Sequence, residues 1–372
     1  MNVPTSVKRL ISEFDGITPM ELEKAVRKFD YVGQQKAVNS ICLMACRHVY
    51  RLRNVFLDGV LADELPDKDN YLLLGPTGSG KTFLIDIISR RILNLPTTVI
   101  DITSYSETGY VGQDPVSMLT RLVNAAEGDI DLASVGIVCI DEFDKLATSK
   151  NSAVFSGAGT TKDVSGFGVQ KELLKMLEGA EVDVPLDLTH ASFAQRTTMS
   201  TDFISFIALG AFSGITRTIK NHERKIGFSA GSGSGGAPVS NDIAYNVSEE
   251  QLRKVAIFQD YGIMPELMGR FSRILPFHPL GKDHLKKILI ENITKRYHRE
   301  FDLMKAKMKI DEEVVDKVVA DAIEKETGAR GLRSALFGYI EDACFMLYSK
   351  PKKKKRTIAL RLEKSEIKWK LE

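Results

Sequence analysis

Cysteine is scarce in this sequence, with four residues, Cys42, Cys46, Cys139 and Cys344, in a chain of 372. So few do not make a disulfide framework at this length. Cys42 and Cys46 fall in an apolar helical pattern, Ile41-Cys42-Leu43-Met44-Ala45-Cys46, with no second Cys or His pair nearby. That context fits buried helix residues rather than zinc ligands, and a reducing compartment, the cytoplasm, is expected. Long hydrophobic runs are missing too: nothing approaches the roughly 18 apolar residues of a membrane helix. The beginning of the chain mixes Lys8, Arg9, Glu13 and Asp15 and has no apolar segment of the signal-peptide kind. Nor is there an excess of one charge. A net charge of +2 does not argue for a nucleic-acid surface. What is present is an ordinary soluble composition, 43% hydrophobic and 27% charged, in a length that allows two or three domains.

The organising stretch is Gly75-Pro76-Thr77-Gly78-Ser79-Gly80-Lys81-Thr82. It fits the pattern of a phosphate-binding loop, G-x-x-x-x-G-K-[ST]. Tyr71-Leu72-Leu73-Leu74 before it reads as a short buried strand, and Phe83 to Ile88 after it carry apolar side chains at helical spacing. The glycines therefore sit at a strand-to-helix turn, where backbone N–H groups of Gly78, Gly80 and Lys81 can converge on a phosphate chain. Side chains there would block the approach. Lys81 adds positive charge at the β- and γ-phosphates, and the Thr82 hydroxyl is suited to ligate Mg²⁺. ATP and Mg²⁺ are the cofactors expected.

A second signal is Gly136-Ile137-Val138-Cys139-Ile140-Asp141-Glu142, an apolar strand ending in two carboxylates. With a phosphate loop upstream, Asp141 is expected in the metal shell and Glu142 as the base that orients the attacking water. The adjacent Glu points to a hydrolase, since a kinase or carrier needs no water-polarising carboxylate there. Thr97 to Ile102 supplies another strand, giving a β-α-β unit with parallel strands and a right-handed crossover.

Elsewhere the chain is less explicit. Residues 1–28 read as a polar helical lead-in, and an apolar-periodic helix opens after Tyr31-Val32-Gly33-Gln34-Gln35 and runs to about Arg53. Residues 58–70 read as a polar surface loop. Gly109-Tyr110-Val111-Gly112 places an aromatic–aliphatic pair between glycines, either an exposed mobile loop or a turn whose Tyr enters the core. Residues 147–169 look mobile; a helix spans Val169 to Leu177, residues 181–200 read as a loop, and Phe203 to Leu209 as a core strand. Ser229 to Ala237 is Gly/Ser-rich and reads as a disordered loop. From about Phe277 helical patterns dominate (281–309, 311–327 and 331–349), with strands at Thr357 to Leu362 and Ile367 to Trp369. The basic run Lys352 to Arg356 reads as a solvated turn. The expected organisation is a lead-in (1–28), a large α/β domain (29–276) and a smaller, mainly helical domain (277–372).

Taken together, these motifs resemble the AAA+ unfoldases of the Clp family, of the ClpX and HslU type, over about residues 28 to 350. Tyr31-Val32-Gly33-Gln34 is similar to the segment that opens the ATPase module and contacts adenine, so Val32 and Gly33 are expected at the nucleotide along with Pro76, Thr77, Gly78, Ser79, Gly80, Lys81 and Thr82. Gly75 to Thr82 and Ile137 to Asp144 resemble the Walker A and B motifs. Gly109-Tyr110-Val111-Gly112 is similar to the pore loop of these enzymes, which makes Tyr110 and Val111 the residues expected to grip polypeptide. Asp163 to Gln170 resembles the second pore loop leading into its helix. Thr201-Asp202-Phe203 and Phe206 to Phe212 resemble the sensor-1 strand in its HslU-like form, with either Thr201 or Asp202 as the sensing side chain. Pro265 to Arg270 is similar to the arginine-finger segment, and Gly328 to Ser334 to the sensor-2 motif, which singles out Arg270 and Arg330 as catalytic. Lys225-Ile226-Gly227-Phe228 resembles the loop that docks on the ClpP peptidase.

The resemblance implies an α/β AAA+ P-loop fold, a parallel sheet flanked by helices, with a smaller helical lid domain. It implies an ATP-dependent unfoldase that threads polypeptide through the pore of a homo-oligomeric, hexameric ring and delivers it to a ClpP-like peptidase, without itself being a peptidase and without acting on nucleic acid or membrane. Arg270 would then act from a neighbouring subunit, and Arg330 would report nucleotide state by moving the small domain. The family's N-terminal zinc-binding domain has no counterpart in this sequence, and its basic substrate-recognition loop is reduced to His190 and Arg196. Three other readings are weighed: a remodeller without a peptidase, a non-enzymatic nucleotide-gated scaffold, and a DNA-directed AAA+ motor, which the near-neutral charge and Tyr110 disfavour.

Overall fold

The fold is taken from a computed structural model, which describes residues 3–106, 113–147, 166–186, 195–226, 247, 249–325, 327–349, 356–363 and 366–371. The chain forms two compact units. One comprises Met1–Val26, Gln35–Pro76 and Lys81–Phe277, the other Arg27–Gln34, Thr77–Gly80 and His278–Glu372. Val7, Leu10 and Ile11 on α1 (Thr5–Glu13), in the first unit, are buried. Residues 27–34 and the tip of the phosphate loop belong with the second unit.

In the first unit α1, α2 (Pro19–Lys28) and α3 (Gln35–Phe56) precede β1 (Tyr71–Leu74), α4 (Lys81–Asp86) and β2 (Thr97–Asp101). Then come α5 (Ser117–Ala125), α6 (Ile130–Ala133), β3 (Ile137–Asp141), α7 (Gly166–Glu178), β4 (Glu181–Pro185), β5 (Arg196–Ser200) and β6 (Ser205–Gly210). The unit closes with α8 (Ile215–Ile226), α9 (Glu249–Leu252), α10 (Val255–Tyr261), α11 (Pro265–Met268) and β7 (Arg273–Pro276). The π-helical segment Ile87–Ile92 continues α4.

The main sheet has the order β2-β3-β6-β1-β7, with every pairing parallel. Parallel strands covered on both faces need continuous apolar runs, and Tyr71–Leu74 and Ser205–Gly210 are buried at every position. Phe143, Phe206, Phe212 and Phe258 are fully buried in this core, the last two meeting edge to face at 5.7 Å. Residues 181–200, read above as a loop, instead contribute an antiparallel β4–β5 pair.

The second unit contains α12 (Lys282–Ile288), α13 (Lys295–Leu303), β8 (Ala306–Ile310), α14 (Glu312–Glu324), α15 (Gly328–Ser349), β9 (Arg356–Glu363) and β10 (Glu366–Leu371), its sheet ordered β10-β9-β8. The helical reading of 281–309 fails at β8. Lys305 takes a left-handed φ of 57° just after α13, and Ala306 and Met308 are then buried while Lys307 and Lys309 are exposed. That period of two is a strand's, not a helix's. Among the described residues, no helix is long and apolar enough to cross a membrane.

Candidate active site

In open parallel sheets, ligands bind beyond the carboxyl ends of the strands. In the first unit, β1 and β3 deliver Gly75 and Asp141 to that edge, and α4 returns from it with Lys81 and Thr82 in its first turn. The Thr82 hydroxyl donates to Asp141 Oδ2 at 3.3 Å, and Asp141 Oδ1 accepts the backbone N–H of Glu142 at 2.9 Å. Walker A and Walker B residues are thus in direct contact. Two hard oxygen donors side by side are what Mg²⁺ takes from protein when phosphates and waters supply the rest, so the residues present fit that ion.

Lys81 is buried and donates to the carbonyls of Gly75 (2.5 Å) and Pro76 (2.9 Å). The ammonium is therefore held over the loop it belongs to. Gly75 allows the loop to pass Phe277, since a Cβ there would lie 2.2 Å from the Phe277 carbonyl oxygen. Glu142 is exposed and has a left-handed backbone, φ 56° and ψ 30°. A non-glycine residue in that conformation costs about 1–3 kcal/mol and is retained where function needs it.

The second unit gathers its own share of the residues expected at the nucleotide. The loop tip Thr77–Gly80 lies against Tyr31–Gln34 and the start of α15: Tyr31 Oη donates to Gly80 O at 3.3 Å, Gln34 Nε2 to Ser79 O at 3.4 Å and Ala329 N to Gly78 O at 3.4 Å. Gly78 has φ +77°, and a Cβ on it would meet the Thr327 carbonyl oxygen at 2.7 Å. Gln34 also exchanges bonds with the backbone of His278, 2.5 Å from its Nε2 to the carbonyl and 3.1 Å from the His278 N–H to its Oε1. Val32 is buried, Gly33 packs against Leu280 and His284, and burial pushes the Tyr31 phenol well up. Arg330, exposed in the first turn of α15, follows directly on Ala329.

Thr201 and Asp202 are not brought to this site. Parallel β6 begins at Ser205 and reaches the phosphate-loop edge only at Gly210, whose carbonyl accepts the Gly75 N–H at 3.1 Å. Five strand steps separate Ser205 from Gly210, about 17 Å, and Thr201 precedes even Ser205. Thr201 Oγ1 instead accepts the Ala180 N–H at 2.9 Å, and Asp202 Oδ2 accepts from Ser200 Oγ at 3.0 Å. Both residues shape the turn beyond α7, at the far edge of the sheet. The side chain that does reach the end of β6 is Asp144, buried, with Oδ1 accepting the Ala211 N–H at 3.1 Å.

Arg270 also sits at the far edge. Ser272, two residues on, donates its N–H to Asn70 O at 2.9 Å, at the amino end of β1. Its guanidinium pairs with Glu178 at the end of α7. Buried Asn70 and half-buried Lys68 organise this edge. Asn70 Nδ2 donates to Leu177 O and to Arg270 O, each at 3.2 Å, and Asn70 Oδ1 accepts the Phe206 N–H. Lys68 Nζ donates to Met176 O (2.9 Å) and Thr201 O (2.7 Å), and burial pulls its pKa down to about 7 against the opposing attraction of Asp202. Toward the other end of α7, Gln170, fully buried, donates to Leu146 O and accepts from Met264 N. Tyr110, Val111, Gly227 and Phe228 lie outside the described residues; Ile226 ends the backbone of α8.

The chain matches two family models, an AAA domain (Cdc48 subfamily) over residues 67–274 and the C-terminal, D2-small domain of ClpB protein over 280–360. It is 35% identical over 349 residues to the ATP-dependent Clp protease ATP-binding subunit ClpX of Porphyromonas gingivalis, covering 92% of this chain and 80% of that one. The chain belongs to the ClpX-type AAA+ family. Two further ClpX relatives, from Azotobacter vinelandii (92% of this chain, 77% of that one) and Methylococcus capsulatus (88% and 77%), are each 34% identical. As a member of this family the chain is a nucleotide-binding ATPase and an ATP-dependent Clp-type unfolding chaperone, not a peptidase. The described site agrees with that chemistry: a glycine loop, a buried lysine, a Thr–Asp pair and an exposed, strained glutamate.

Proposed function

We propose that this ClpX-type ATPase assembles as a homo-oligomeric, hexameric ring in the cytoplasm and threads polypeptide through its pore. The observation that carries the ring is the position of Arg270. It lies at the amino end of β1, while Lys81 and Thr82 lie beyond the carboxyl end. A cation there is remote from its own phosphate loop and suited to the nucleotide of a neighbouring copy. An ATP site completed by a neighbour generates a heterologous, closing interface, which is a ring.

Hydrolysis in this reading is in-line attack of water on the γ-phosphorus. Glu142 takes the water's proton, Lys81 holds the β- and γ-phosphate oxygens, and Arg270 of the neighbour with Arg330 meets the charge on the departing group. Val32 and Gly33 receive the adenine. Thr82 and Asp141 would hold Mg²⁺, which when bound supplies charge neutralisation at the phosphate oxygens. Tyr110 and Val111 are the residues that grip substrate, and Ile226, Gly227 and Phe228 those that dock a ClpP-like peptidase.

The trans assignment is tested by mixing Glu142→Gln with Arg270→Ala chains. Each alone should be inactive, while mixed rings contain interfaces with an intact glutamate on one side and an intact arginine on the other, so ATPase activity should return. No recovery in assemblies shown to be mixed would refute it. Threading is tested by substrate stimulation of the ATPase in wild type and Tyr110→Ala, and docking by deleting residues 226–228 and measuring degradation with added ClpP.

A further inference from the structure

Arg270 is held at two points, and both lead to the same place. Its carbonyl oxygen accepts Asn70 Nδ2 at 3.2 Å, and its guanidinium Nη2 pairs with Glu178 Oε1. The same Asn70 Nδ2 donates to the carbonyl of Leu177, the residue before Glu178, at 3.2 Å. One amide, 2% exposed, therefore fixes the spacing of the two backbones from which the ion-paired side chains extend. Lys68 adds a second anchor to the end of α7 through Met176 O at 2.9 Å.

The pair itself is a poor source of stability. The side chains of Arg270 and Glu178 are 50% and 38% exposed, and pairs that open to solvent contribute little. A weak, exposed contact built on a rigid, buried frame suits orientation better than stabilisation. A guanidinium carries five donors on a planar fork, more than one carboxylate can take, and Nη2 makes the contact with Glu178 Oε1.

We propose that Glu178 is a positioning residue for Arg270: its carboxylate takes Nη2 and turns the rest of the fork toward the nucleotide phosphates of a second copy of the chain. This rests on the reading of Arg270 as a cation acting in trans. A freely rotating arginine samples many rotamers, and misplacement of a transition-state group by about 1 Å costs on the order of 100-fold in rate. Glu178 removes that freedom before the neighbour's nucleotide arrives.

The test is steady-state ATPase kinetics on the full chain for Glu178→Ala, Glu178→Gln, Glu178→Asp and Arg270→Ala, with the double variant Glu178→Ala/Arg270→Ala. Glu178→Ala should lower kcat by about 10- to 100-fold, with KM for ATP changed by less than about twofold, because the interaction is made in the transition state. Glu178→Asp, which keeps the charge, should recover part of the loss that Glu178→Gln retains. Thermal midpoints should match wild type, and the double variant should be no slower than Arg270→Ala alone. If Arg270→Ala is inactive while Glu178→Ala keeps wild-type kcat, the positioning role is wrong and the trans arginine stands. A higher kcat in Glu178→Ala also overturns it, since Glu178 would then compete with phosphate. If Arg270→Ala keeps wild-type kcat, the arginine reading falls and takes this inference with it.

Discussion

The side-chain oxygen of Gln170 accepts the backbone N–H of Met264 at 2.7 Å, inside the core of the large unit. Its nitrogen donates to Leu146 O at 2.8 Å, so one amide joins the turn after Asp141 and Glu142 to the strand-like lead into α11 and Arg270. Buried donors and acceptors left without partners cost about 1–3 kcal/mol each. Gln170→Leu keeps the volume and strips these bonds, together with a long one from Nε2 to Gly262 O at 3.5 Å. It should lower the unfolding free energy of the large unit by about 2–4 kcal/mol in urea titrations, on the same principle. A loss below about 0.5 kcal/mol would mean that water or backbone rearrangement replaces the amide.

Glu142 presents the reverse case, a residue whose removal should help the fold. Its φ of 56° is one that L side chains resist and glycine accepts freely. Relief of the strain, reduced by glycine's larger loss of chain entropy, leaves a net gain of about 0.5–1 kcal/mol. Glu142→Gly should therefore melt slightly higher than wild type and hydrolyse ATP at least 100-fold more slowly, the scale of a missing general base. An unchanged or lower midpoint would show that the left-handed turn carries no strain.

Much of this site was legible before any coordinates, and the residues that were not share a reason. Gly75 to Thr82 and Asp141-Glu142 are contiguous motifs whose chemistry depends on local order along the chain, so spacing alone finds them. Arg270 and Arg330 needed the resemblance, because an isolated arginine carries no local signature. Asn70, Glu178 and Gln170 act across long sequence separations, for example 200 residues between Asn70 and Arg270, and nothing near them in the chain announces a partner. Asn70 did leave a trace: it is a polar residue directly before the buried strand Tyr71–Leu74. Thr201 and Asp202 misled for a related reason. The resemblance to the sensor-1 strand puts them at the nucleotide, but a sequence does not show which end of a strand faces the ligand, and the pairing of Leu74 with Gly210 does. In the small unit, β8 was hidden because Lys307 and Lys309 alternate with Ala306 and Met308 over too few residues to outweigh the helix before it.

Gly78 offers a paired comparison that separates backbone strain from crowding. Gly78 and Gly59 have nearly equal φ, +77° and +71°, but a Cβ on Gly59 would meet nothing within 4 Å, whereas on Gly78 it would lie 2.7 Å from the Thr327 carbonyl oxygen. Alanine at either position carries the conformational penalty of about 1 kcal/mol. Only Gly78→Ala should additionally displace the loop tip, so its affinity for a fluorescent ATP analogue should fall at least 10-fold while Gly59→Ala binds as wild type. Equal affinities would show that the loop tip tolerates a side chain.

His48 and Lys68 make stability fall toward acid in two separate windows. Val135 O lies 2.8 Å from His48 Nε2 and can only accept, so Nε2 carries the proton and Nδ1 accepts from Ser205 Oγ at 3.2 Å. Burial lowers the His48 pKa from its usual 6.5, so the folded state prefers the neutral ring. The unfolded chain then binds a proton near pH 6.5 that the folded chain does not, and stability is full above that pH and declines below it. Lys68 titrates near 7 when folded, against 10.5 ordinarily, with burial as the largest cause. Here the unfolded state holds the extra proton between about pH 7 and 10.5, so stability rises with pH across that window and is flat, on this account, below it. His48→Leu should lose overall stability, because Val135 O is deprived of its donor, yet flatten the slope of unfolding free energy below pH 6.5. Lys68→Met should flatten the slope above pH 7 and leave the acid limb intact. Urea unfolding from pH 5 to 10 measures both. Slopes in either variant that match wild type within its own window would mean that the group's charge is equally accommodated in the folded and unfolded chains.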